Sequence, residues 1–161
     1  MAVKESRPRP AAVKALVSTM AFFSFVGLMT GYGLLSDPTG AGIGLSQDLL
    51  EDAPVGDFTM VGLFFLSFFG LLPALAAYGL WRLPRWGWTD AVNRWTGQNW
   101  AWTATAALGV ILLLWIAVEV VFVGALTGIG GAMQAIITAL GVAMLAMVTR
   151  PSVRSYARLD G

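Results

Sequence analysis

Along the chain, long apolar runs alternate with short stretches that are charged or rich in glycine. Crossing the hydrocarbon core of a bilayer takes about 20 mostly apolar residues in helical form. Runs at about 15–35, 58–80, 101–123 and 132–149 meet that length, the last only with its flanks. They predict four transmembrane helices. The first run follows a basic leader with Lys4, Arg7, Arg9 and Lys14, the arrangement of a secretory signal. It is longer than a signal core, no small-x-small cleavage site stands where one is needed, and further spans follow. It is therefore expected to remain as the first helix.

Composition points the same way. The 161 residues are 57% hydrophobic and 12% charged, whereas a soluble domain is about half apolar and about a quarter charged. So few charged residues leave too little polar surface to face water, and lipid needs none. The predicted fold class is an all-α membrane protein, one domain over residues 1–161, with its four helices in an antiparallel bundle.

Orientation follows from where the Lys and Arg fall. All ten lie in the leader 1–14, the connection 81–100 or the tail 150–161. The connection 36–57 has none and carries Asp37, Asp48, Glu51, Asp52 and Asp57, while the turn 124–131 is uncharged. An even number of spans puts the three basic segments on one side, as the charges require. Both termini are expected in the cytoplasm, and the location is a bacterial cytoplasmic membrane.

The connection 81–100 is crowded with tryptophan. Trp81, Trp86, Trp88, Trp95, Trp100 and Trp102 are expected as interfacial anchors, because amphipathic rings favour the headgroup level. Trp88, Val92 and Trp95 recur at i, i+4 and i+7, which predicts a short in-plane helix between the second and third spans. Thr89 is placed to cap it, and Asp90 and Arg94 are spaced to pair on its polar side. In the acidic connection, Ser46–Asp52 predicts one or two helical turns with Leu45, Leu49 and Leu50 against the spans.

Helices in lipid associate by close packing over small residues. Candidate stripes are Gly27 and Gly31, Gly70 and Ala74, Ala101, Thr105 and Gly109, and Ala135, Ala139 and Ala143. One stripe could equally serve a partner subunit. Pro73 lies inside the second span and deprives the carbonyl of residue 69 of its helical donor, so a kink is expected there.

The chain has no cysteine and no histidine. That excludes disulfides, thiolate nucleophiles, Cys-ligated zinc, iron–sulfur clusters, His-ligated haem and His-based triads. The Met residues are expected as packing material, and no catalytic residue, metal or cofactor is predicted. Glu119 is the one carboxylate within a span, which by default marks function. It lies about 6 Å by helical rise from the outer end of the third span. Gln134 begins the fourth span across the glycine-rich turn, so the two predict a hydrogen-bonded clasp on the hairpin. The alternative use of Glu119 is as a proton or cation site.

The acids Asp48, Glu51 and Asp52 lack the alternation and central glycine of a calcium loop. Gly40, Gly42 and Gly44 follow no strand, so the G-x-G-x-G run predicts turns and not a nucleotide site. Arg150, Arg154 and Arg158 recur at helical spacing and fit anionic lipid or an acidic partner. Nucleic acid is not an expected partner, because membrane orientation already explains the charge.

The runs Tyr78-Gly79-Leu80-Trp81-Arg82, Pro84-Arg85-Trp86, Asn93-Arg94, Thr96-Gly97, Trp100-Ala101-Trp102-Thr103 and Arg150-Pro151-Ser152-Val153-Arg154 resemble a group of uncharacterised small bacterial four-helix membrane proteins. That resemblance implies the topology and brings no activity, cofactor or site residue. Small multidrug transporters also have four spans, but their carboxylate lies in the first helix, where this chain has none.

With spans almost wholly apolar, the expected role is non-catalytic: an accessory or assembly subunit beside a larger membrane complex, an energy-transducing one among the candidates. Its expected partners are the bilayer and either another membrane protein or further copies of itself. The alternative is a small oligomeric proton- or cation-coupled transporter or channel using Glu119.

Overall fold

The computed structural model describes residues 9–159 and is 78% helical. Among the described residues there are no strands, only an isolated bridge between Gln98 and Arg158. Six helices follow in order: α1 Ala11–Ser36, α2 Thr59–Arg82, α3 Asp90–Thr96, α4 Trp100–Phe122, α5 Gly128–Val148 and α6 Pro151–Ala157. Helices α1, α2, α4 and α5 supply four stretches long and apolar enough to cross a membrane. That is the pattern of a multi-pass membrane protein.

Two of the long helices start ahead of the apolar runs. Pro10 precedes the first turn of α1, where a missing N–H costs nothing, and the helix runs from Ala11 with Val13 and Leu16 fully buried. Helix α5 starts at Gly128 because its glycine-rich entry joins the helix, whereas hydropathy alone marks about residue 132. At the start of α4, Asn99 Oδ1 accepts from the Ala101 amide at 3.1 Å.

Helix α2 is not uniformly α-helical. Phe65–Leu71 form a π-helical turn just ahead of Pro73, and the Leu72 amide returns to the Ser67 carbonyl, five residues back. Just ahead of Pro73, where a kink is expected, the helix carries a widened turn, one of the ways a helix absorbs a proline.

The tightest crossing joins α1 to α2. A Cβ at Gly31 would stand 2.6 Å from the Leu66 amide nitrogen, and one at Gly27 would stand 2.7 Å from the Gly70 nitrogen. Ser24 Oγ crosses the same seam to donate to the Gly70 carbonyl at 2.7 Å. Helix α2 meets α4 where Gly79 receives the Trp100 ring and the Ala101 Cβ. Helix α4 meets α5 where Gly109 and Gly141 face each other's backbone carbonyls across the contact.

The expected stripes of α1 and α4 are buried, but two others are corrected. In α5, Ala135 and Ala139 are exposed and the packed face is Gln134, Gly141, Met144 and Val148. Gly141 admits the α4 backbone, which rotates the alanines outward. In α2, Ala74 is exposed beside buried Pro73.

Met20, Phe69, Leu80, Leu108, Leu112 and Met144 fill the middle of the molecule. The void left beside them is about 10 Å³, with a lining of Met20, Phe23, Pro73, Leu108, Leu112 and Met144 and no polar surface. A water needs at least that volume and polar partners, so this void is dry.

Candidate functional site

At the end of the α4–α5 hairpin, the structure brings Glu119 and Gln134 together. Gln134 Nε2 donates to Glu119 Oε1 at 3.0 Å and to the Gly124 carbonyl at 3.2 Å. Its Oε1 accepts from the Leu126 amide at 3.1 Å. The side chain thereby satisfies two backbone groups that the turn leaves without helical partners, and Gln134 is only 8% exposed. Glu119 is half-buried in the last turn of α4. The geometry locks the turn and leaves one carboxylate facing a single amide donor. Among the described residues no three acidic side chains converge to hold a metal ion.

The opposite end gathers the other candidate residues. Trp100 is buried, and Trp86 stacks on it with centroids 4.9 Å apart. Trp88 stacks on Trp86 at 5.4 Å. Trp100 Nε1 and Asn99 Nδ2 both donate to the Pro84 carbonyl, at 3.2 and 3.1 Å, which folds the connection back on the start of α4. Trp102 Nε1 donates to the Val148 carbonyl at 2.8 Å, so this ring ties α4 to the end of α5. The Arg9 guanidinium lies 4.0 Å from the Trp81 ring centroid, and Tyr156 donates to the Trp81 carbonyl at 3.4 Å. The Asn99 amide donates to the Ala157 carbonyl at 2.8 Å. The start of α1, the α2–α4 connection and α6 therefore share one end of the molecule. Lys4 and Arg7 lie outside the described residues.

Helix α3 forms, with two corrections to its local chemistry. Thr89 precedes it but makes no side-chain cap; its hydroxyl donates to the Trp86 carbonyl at 2.7 Å and accepts from Asn93 Nδ2 at 3.2 Å. Asp90 and Arg94 form no ion pair: both are exposed, where an i, i+4 pair stabilises by only a few tenths of a kcal/mol. Arg154, at 5.5 Å, lies over the Trp102 ring. In the tail, α6 includes Arg154, while Arg150 and Arg158 flank it.

The acidic connection is a set of self-contained turns. Asp37 accepts from the Thr39 hydroxyl, the Gly42 amide at 2.8 Å and the Thr39 amide at 3.1 Å. The Thr39 hydroxyl is the largest cause holding the Asp37 carboxyl below its ordinary pKa, followed by the amides of Gly42 and Thr39. Thr59 does the same for Asp57 through its amide first and its side chain second. Gly40 and Gly44 take left-handed conformations on either side of the Ala41–Ile43 turn, whose Gly42 amide bonds to Asp37. Ser46 caps a single 3-10 turn, Gln47–Leu50, and Leu45, Leu49 and Leu50 are half-buried.

Two polar features have weaker sequence signals. Ser24 lies three residues before Gly27 on the seam face, a spacing that could have placed it against α2. Trp115 Nε1 is buried without a partner among the rings of Phe64, Phe65 and Phe69, and nothing in the local pattern announces it.

Compared with known protein families, curated proteins and solved structures, the chain matches none.

Proposed function

We propose that this chain is a non-catalytic accessory or assembly subunit that binds laterally to a larger complex in a bacterial cytoplasmic membrane, an energy-transducing complex among the candidates. Its four spans form an antiparallel bundle with the arginine-bearing end in the cytoplasm and the Asp37–Asp57 connection outside. The apolar packing between the helices carries this reading. A permeation path needs a polar lining and an enzyme needs converging polar groups. The void lined by Met20, Phe23, Pro73, Leu108, Leu112 and Met144 is apolar and about 10 Å³ in volume. Meanwhile, broad apolar faces look outward, including Phe22 at 68% and Phe25 at 64% exposed on α1.

Purification of the full chain in a mild detergent tests the role. Recovery of a stoichiometric membrane-protein partner supports it. A homo-oligomer whose proton-dependent transport is abolished by Glu119→Gln, with folding retained, overturns it in favour of a transporter built on that carboxylate. Orientation is tested separately, and the absence of native cysteine makes single-cysteine labelling clean. Ser46→Cys should react with an impermeant reagent from outside, and Ser155→Cys only after the membrane is opened.

A further inference from the structure

Helix α3 has its amphipathic character turned inside out. Thr89 and Asn93 face the protein at 2% and 5% exposure, while Trp88, Val92 and Trp95 face outward at 72%, 38% and 86%. The outward face is built and not loose, because Trp88 completes the stack on Trp86 and Trp100. A surface helix in water shows the opposite pattern, and an in-plane helix at a bilayer shows this one. At the same end of the molecule Arg82, Arg94, Arg150 and Arg158 are all exposed, and Asp90 is the one described carboxylate there.

We propose that α3 and these arginines form a binding surface for anionic phospholipids of the leaflet in which the protein sits. Trp88, Val92 and Trp95 lie at the acyl boundary, and the guanidinium groups take the phosphates above them. Two features favour lipid over a protein partner. The apolar strip is one short helix wide, the width that enters a headgroup layer. The charge beside it is almost wholly of one sign, complementary to an anionic surface, and guanidinium matches phosphate in two-point hydrogen bonding. The proposal rests on the spanning topology and is independent of any accessory role.

The test is fluorescence quenching in vesicles of phosphatidylcholine with the full chain inserted. A minor fraction of the lipid carries bromine near the headgroup, either as phosphatidylglycerol or as phosphatidylcholine. The Trp88 and Trp95 contribution is the difference between the protein and its Trp88→Phe/Trp95→Phe variant. Brominated phosphatidylglycerol should quench that contribution roughly two- to five-fold more efficiently, the enrichment a nearby cation gives. Arg94→Gln/Arg150→Gln/Arg158→Gln, with unchanged helix content by circular dichroism, should bring the two lipids level. Equal quenching in the unmodified protein overturns the proposal, as does an excess that survives loss of the arginines. Shielding of both tryptophans from either lipid also overturns it, by showing the face to be covered by protein. Quenching of Trp115 by bromines deep in the chains reports separately on whether the helices span.

Discussion

A methyl group at Gly27 should be among the most damaging small changes in the chain. Its Cβ would overlap the Phe69 carbonyl and stand 2.7 Å from the Gly70 nitrogen. Both obstacles are backbone, so no side chain can rotate away, and α1 and α2 must separate by roughly 1 Å to restore a normal contact. Overpacking of a close-packed interior costs about 1–3 kcal/mol. The Ser24–Gly70 hydrogen bond crosses the same seam, and its loss adds roughly 0.6–1.7 kcal/mol. The gain in helix propensity from glycine to alanine, up to about 1 kcal/mol, is too small to offset this. Gly27→Ala is therefore expected to lose about 1–4 kcal/mol in net unfolding free energy. The assay is SDS titration of the purified protein in mixed micelles, followed by circular dichroism. Two other variants set the scale. Gly70→Ala meets mainly the flexible Leu28 side chain and should cost about 1 kcal/mol. Gly56→Ala meets nothing within 4 Å and should stay within about 0.5 kcal/mol of wild type. If Gly27→Ala proves no worse than Gly56→Ala, the seam is not the tight contact described.

At the hairpin, Gln134→Leu strands the Leu126 amide and the Gly124 carbonyl and should cost about 1–2 kcal/mol. Glu119→Gln keeps an acceptor for the same donor and should shift the thermal midpoint far less; the reverse order would refute the clasp. In the acidic connection, Asp37 is held below its ordinary pKa of 3.8, so its stabilisation is full above that value and is lost as pH falls through the lowered one. Acid titration of the Thr39 and Gly42 amides by NMR in micelles should show this loss, and Asp37→Asn should flatten it. Ala139→Leu, on the exposed face of α5, should leave stability within about 0.5 kcal/mol in the same SDS titration. Deleting Leu71 should convert the π-helical turn to an α-helical one and keep both halves of α2 in register. Deleting Leu75 should rotate Ala76, Ala77 and Leu80 out of the core, and equal unfolding by the two deletions would count against that register.

The four long helices were legible because lipid imposes a one-dimensional rule: enough consecutive apolar residues to cross it, with charge at the breaks. The same uniformity hides which side of each helix packs. In a soluble helix the polar face announces the buried one, but in α5 the only polar residues past its first turn are Gln134 and Thr138, so Ala135, Ala139 and Ala143 looked as fit for packing as Gly141. Only the position of the partner backbone separates them. Gly109 and Gly141 let two helices approach closely, while Ala135 and Ala139 are turned outward. The π-helical turn was hidden for a related reason. Pro73 reveals that a bond must be lost, but not whether the helix bends or widens, and the widened stretch is the one that Gly27, Gly31 and Ser24 of another helix pack against from Leu66 to Gly70. Polar residues were easier to pair, since in an apolar setting each has few partners within reach. Glu119 and Gln134 were recognisable across their turn on that ground alone. At the tryptophan-rich end the limit was different. Spacing located α3 and its Trp88, Val92 and Trp95 face, but not the inward one, where the Thr89 hydroxyl donates to the Trp86 carbonyl and accepts from Asn93 Nδ2. Those bonds span only three and four residues, so what the local pattern does not announce is the burial of Thr89 and Asn93 against the rest of the molecule.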